Sequence, residues 1–125
     1  MEFTENGYIK IPIKKLLEWA DKNEGCFVSN KITKEGFKVG YMYREMPEYG
    51  KPDSGWRFFK GDETDEYSSD PANFNLFSLN TVCNYDPDII KYLNSPMDSV
   101  YIRISDSEFE IDNDAKEIYI AKQIR

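Results

Sequence analysis

Histidine is absent from the sequence. That gap excludes His-based zinc sites, Ser-His-Asp and Cys-His nucleophile systems, and imidazole general bases in one step. Cysteine is scarce: Cys26 and Cys83 stand far apart without C-x-x-C spacing, so neither a redox motif nor a thiolate metal site is indicated. Both read as buried thiols that pack like small hydrophobes. Long apolar runs are missing too, and nothing approaches membrane-spanning length. The opening residues, MEFTENGYIK, carry neither a basic nor an apolar targeting stretch, which sets the expectation of a cytoplasmic protein. No repeat, low-complexity tract or linker divides the chain.

Aromatic residues are plentiful instead. Nine Tyr and eight Phe in 125 residues make the apolar material bulky, and a chain of this length is expected to form a single domain, residues 1–125, around one core. The formal charge of -7 is concentrated, because residues 61–70 hold Asp62, Glu63, Asp65, Glu66 and Asp70 with no Lys or Arg. Such a field repels the phosphates of nucleic acid and membrane and draws in basic partners. The expected partner is therefore a protein, with no nucleic acid, no membrane and no cofactor.

The periodicities predict an α+β fold, a mainly antiparallel sheet with two helices. Pro12 followed by Ile13, Leu16, Leu17 and Ala20 predicts a helix over 12–22, stopped by Gly25 in a left-handed conformation. Residues 26–28 read as a short strand and 30–36 as a polar turn. Phe37, Val39, Tyr41 and Tyr43 alternate onto one face of a strand, with Gly40 opposite marking a bulge or the close approach of another backbone. Residues 45–54 read as an exposed loop and 56–59 as a strand. The acidic run has turn chemistry rather than a period, 75–82 looks like a strand with apolar groups on both sides, and Asp86-Pro87 caps a helix ending near Leu93. An antiparallel meander follows, with strands at 100–104, 109–111 and 117–121 and a turn at 112–114.

No reaction emerges from these residues. Counted from Asp62, the acidic run lacks the Asp/Asn and Gly positions of a calcium loop. Asp53 with Glu63 or Asp65 is the candidate carboxylate pair for general acid–base hydrolysis, a weak pattern in a chain rich in acids. Trp56, Phe58 and Phe59 fit either a binding platform or, more simply, strand core. Arg57 and Lys60 read as exposed charges beside the acidic loop that neutralise part of its field.

Several pieces taken together carry a resemblance. They are Asp53-Ser54-Gly55-Trp56-Arg57-Phe58-Phe59, Gly61-Asp62-Glu63, Tyr67, Asp70-Pro71 with Asn73, Leu79-Asn80-Thr81 and Asp86-Pro87-Asp88-Ile89-Ile90. With Val28-Ser29 and Gly40-Tyr41-Met42-Tyr43-Arg44-Glu45 upstream, they resemble the immunity-protein-33-like family of small bacterial domains over about residues 26–104. The first helix and the last hairpin flank that region. The resemblance implies a non-enzymatic inhibitor that binds a toxin, and it carries over no catalytic residues. On this reading Asp62, Glu63, Asp65 and Glu66 supply an attractive field for a basic toxin domain, while Trp56 or Tyr67, beside the Asp53 loop, supplies the desolvated anchor. A small-molecule or peptide-binding module, and a carboxylate-dependent hydrolase, are the competing expectations.

Overall fold

The computed structural model describes residues 2–12, 17–21 and 23–112. Six strands form one sheet: β1 Gly25–Ser29, β2 Tyr41–Arg44, β3 Asp53–Phe59, β4 Phe74–Ser78, β5 Val100–Arg103 and β6 Phe109–Ile111. Their order is β4-β1-β3-β2-β5-β6, with β1 parallel to β3 and every other pairing antiparallel. Among the described residues, three short helices, α1 Asn30–Thr33, α2 Asp65–Ser69 and α3 Leu79–Tyr85, and two 3-10 turns, Pro71–Asn73 and Pro87–Tyr92, accompany the sheet. The α+β architecture with a mainly antiparallel sheet is as the sequence predicts; several of the helices are not where it placed them.

Registration divides the sheet into two faces, since side chains alternate along each strand. Cys26, Val28, Met42, Trp56 and Phe58 point to one face, where Leu79, Val82 and Cys83 of α3 and Ile89 of the second 3-10 turn close a buried core. Residues of opposite parity, Phe27, Tyr41, Tyr43, Arg57, Phe59, Phe74 and Leu76, share the other face. Trp56 is wholly buried, and its indole nitrogen donates to the Leu93 carbonyl at 3.2 Å.

The helix predicted over 12–22 does not form in its described part: residues 17–21 are irregular, and 13–16 and 22 lie outside the described residues. Asn80 explains the irregular path, because its side-chain oxygen accepts from the amides of Trp19 and Ala20 while its amide group donates to the Leu17 carbonyl. Gly25 therefore stops no helix; it opens β1, with its N–H donating to Pro52. The turn at 30–36 contains α1, started by the Ser29 hydroxyl, which accepts from Lys31 N. The strand expected from Phe37 begins only at Tyr41, so Val39 is buried while Phe37 is exposed. Gly40 is the close approach the sequence suggested, since a Cβ there would collide with the Lys60 carbonyl oxygen.

The stretch 75–82 changes element halfway. β4 ends at Ser78 and α3 begins at Leu79, whose spacing with Val82 and Cys83 is the i, i+3, i+4 face of a helix. Apolar groups on both sides of the supposed strand were the sign of that change in period. The acidic run likewise contains a helix, α2, capped by the Thr64 hydroxyl accepting from Tyr67 N, with Asp65 and Glu66 in the first turn where the helix dipole favours negative charge. Asp86 caps a 3-10 rather than an α-helical turn. Of the predicted meander, β5 and β6 are present, whereas 117–121 lies outside the described residues.

Candidate partner-binding surface

The sheet face away from α3 carries an aromatic cluster built by strand alternation. Tyr43 and Phe59 stack with centroids 5.8 Å apart and planes at 19°. Phe74 meets Phe59 edge-on at 5.4 Å, and Tyr67 of α2 meets Phe74 at 5.9 Å. Together with Phe27, Arg57, Glu45, Met46 and Ser68, these strand aromatics line an open cleft of about 580 Å³, within the range of ordinary ligand pockets. Phe27, Tyr43, Phe59 and Phe74 are each half-buried, and Met46 on the rim is exposed.

Arg57 forms the floor. Its side chain is 9% exposed, and its guanidinium binds Asp53 through both terminal nitrogens at 2.9 and 2.7 Å and Glu45 through Nε at 2.5 Å. One terminal nitrogen also donates to the Trp56 carbonyl, and the group lies 4.8 Å from the Phe27 ring centre. Asp53 is further held by the amides of Glu48 and Gly55. The Arg57 guanidinium, with those two amides, keeps the Asp53 carboxyl well below the usual carboxylate range against the opposing effect of burial. Gly55 makes the arrangement reachable: its φ of 87° suits glycine, and a Cβ there would collide with the Glu45 carbonyl oxygen, so only glycine lets the Glu45 backbone lie this close.

The residues singled out from the sequence are scattered around this cleft. Trp56 belongs to the core on the opposite face and offers nothing to a partner. Asp53 is the buried acid under Arg57, with a side chain 4% exposed. Asp62 is exposed but paired with Lys60 at 2.6 Å and Lys31 at 3.0 Å, ammonium groups that hold its carboxyl below the usual carboxylate range. Glu63 accepts the amides of Lys60 and Gly61, both at 2.8 Å, and so fastens the turn after β3. Asp65 and Glu66 are exposed on α2, and half-buried Tyr67 extends the aromatic wall, with Lys31 5.2 Å from its ring centre. Asp53 and Glu63 sit at opposite ends of β3, separated by the strand's length of roughly 20 Å. They cannot act on one substrate bond, and a carboxyl with a lowered pKa is a poor general acid.

Glu63 carries a stability prediction. Glu63→Ala should lower unfolding free energy by about 1–2 kcal/mol, read from the urea midpoint, because two amides lose a charged acceptor. A role confined to partner contact would leave that midpoint unchanged.

Phe27, Tyr43, Phe74, Arg57 and Glu45 are the functional candidates the sequence reading passed over. A signal existed for some of them: Asp53 and Arg57 share parity on one strand, as do Tyr41 and Tyr43. No sequence signal brings β1 beside β3, which is what sets Phe27 against Arg57. Among the described residues no group of three or more His, Cys, Asp or Glu could hold a metal ion.

Comparison with protein families matches residues 26–112 to the immunity protein Imm33 domain. The match starts in β1 and runs past β6, so it takes in the whole described sheet and extends beyond residue 104, where the sequence resemblance ended. No curated protein and no solved structure matches the chain.

Proposed function

The chain belongs to the Imm33 immunity-protein family, and from that premise we propose that it neutralises a toxin domain by binding it, without catalysis of its own. The observation that carries the reading is a concave aromatic surface, inside the family-matched region, on the sheet face that α3 leaves uncovered. Half-buried aromatics around a cleft are the material of binding hot spots, which need anchors that desolvate fully on association.

Charge refines the picture. Asp62 is already paired with two lysines and Glu63 is committed to its turn, so the acidic segment acts on a partner chiefly through Asp65 and Glu66 at the exposed start of α2. These stand on the same short helix as Ser68, which lines the cleft, and Tyr67, which packs edge-on against the cleft residue Phe74. A basic toxin domain would be steered toward the cleft by that field and held by the aromatics.

A pull-down from lysate of the source organism, washed at low and high salt, tests the reading. A stoichiometric toxin domain, whose toxicity in co-expression this chain relieves, is the expected result. With that domain purified, the double variant Asp65→Lys and Glu66→Lys should slow association about tenfold at low salt, with the difference shrinking as salt screens the field. An unchanged rate at low salt removes steering by α2. The cleft volume also favours a second reading, a peptide or small-molecule module, for which a metabolite that raises the melting temperature would speak.

A further inference from the structure

Resting on the binding role proposed above, we infer that the cleft over Arg57 receives a cationic side chain, lysine or arginine, from the partner's surface. Two features select that occupant over an apolar or anionic one.

The first is what the floor has left to give. A guanidinium carries five N–H donors. In Arg57 one goes to Glu45, two to Asp53, and one to the Trp56 carbonyl. An incoming carboxylate or phosphate would find a single donor and, around it, the carboxylates of Asp53 and Glu45 with Glu48 close by. Three acids against Arg57 and the Lys51 ammonium, 3.8 Å from Glu48, leave the local balance negative by one, so an anion is repelled and a cation is drawn in.

The second is the walls. Tyr43, Phe59 and Phe74 present ring surface around the cleft, and a cation over an aromatic ring is attracted by the negative charge of its face. The chain already uses this pairing on its own cations, with Arg57 4.8 Å from the Phe27 centre, Lys31 5.2 Å from Tyr67 and Lys60 4.1 Å from Phe37. Glu48 supplies the counter-charge at the mouth. Its side chain is 55% exposed and touches Lys51 only at 3.8 Å, while its backbone is fixed through the bond from its amide to Asp53. A long cationic side chain fits that gradient, laying its methylene stem on the aromatics and its charge beside Glu48.

The test is an NMR titration of the full chain with capped tripeptides in which glycine flanks arginine, lysine, norleucine or glutamate. The arginine and lysine peptides should give saturable amide shifts centred on Phe27, Tyr43, Phe59 and Phe74, with affinity in the millimolar range. Norleucine should shift them weakly and glutamate not at all. Glu48→Gln, a change on the exposed rim, should weaken the cationic peptides about threefold and leave norleucine unaffected. Equal shifts with norleucine would make the cleft merely apolar, a response to glutamate would make it an anion site, and no saturable shift with either cation would leave it without this role; each overturns the proposal. Because the titration uses no toxin, it stands apart from the immunity reading. Failure to capture a toxin leaves the peptide result valid, whereas a captured toxin that binds Glu48→Gln and Phe59→Leu as tightly as the natural chain refutes the cleft and spares the immunity role.

Discussion

Arg57→Met should lower unfolding free energy at neutral pH by about 3–5 kcal/mol, the usual consequence of removing one partner from a buried ion pair. Methionine fills much of the same volume, so the loss is electrostatic rather than a cavity effect. What remains is an Asp53 carboxylate, 4% exposed, with its two backbone donors but no counter-charge, and Glu45 without the same partner. Urea unfolding followed by circular dichroism measures the difference.

The pH dependence separates two explanations of that loss. Because Asp53 has a folded-state pKa held well below its unfolded value, its contribution is fully present above about pH 4 and disappears as pH falls through the folded value. The natural chain should therefore lose stability in acid. Arg57→Met keeps only the two backbone donors to set against burial and so has less to lose, and the gap between the two should narrow steadily below about pH 4. A gap that stays constant down to pH 3 would mean that Arg57 stabilises by packing on Phe27 and not by neutralising Asp53.

Arg57 also shows where sequence reasoning stops. Strand alternation was enough to put Trp56 and Phe58 on one face, and it correctly favoured core for Trp56. The same alternation places Asp53, Arg57 and Phe59 together on the other face, yet beside an acidic run an arginine reads as a surface charge. What buries it is nonlocal: β1 lies parallel to β3 across a connection that contains β2, and Gly55 admits the Glu45 backbone from the other side. The mainly antiparallel sheet that the periodicities predict does not by itself specify such a crossover. The acidic segment divides up for a related reason. Its residues look equivalent in sequence, but the turn after β3 engages Glu63, lysines on α1 and just after β3 engage Asp62, Asp70 caps the following 3-10 turn, and Asp65 and Glu66 stand exposed in the first turn of α2.

Asp86 gives the same lesson in a residue the sequence did identify. As a helix cap alone, Asp86→Ala would cost on the order of 1 kcal/mol. The side chain does cap, with Oδ1 accepting from Asp88 N at 3.1 Å. Its other oxygen accepts from Val39 N at 2.9 Å and from the Arg103 guanidinium at 2.7 Å, in a residue only 2% exposed. One carboxylate thus ties the 3-10 turn to the approach of β2 and to β5, and Arg103 in turn holds the Val39 carbonyl and lies over the Phe109 ring of β6. Asp86→Ala should accordingly cost about 3 kcal/mol or more, since it strands a buried amide and removes a buried counter-charge together. Asp86→Ser distinguishes the two roles, because serine caps as well as aspartate but cannot reach Val39 and Arg103 at once. If the network dominates, Ser should lie close to Ala on the urea scale. Recovery of nearly all the stability by Ser would reduce Asp86 to its cap and detach β5 from the turn that precedes it.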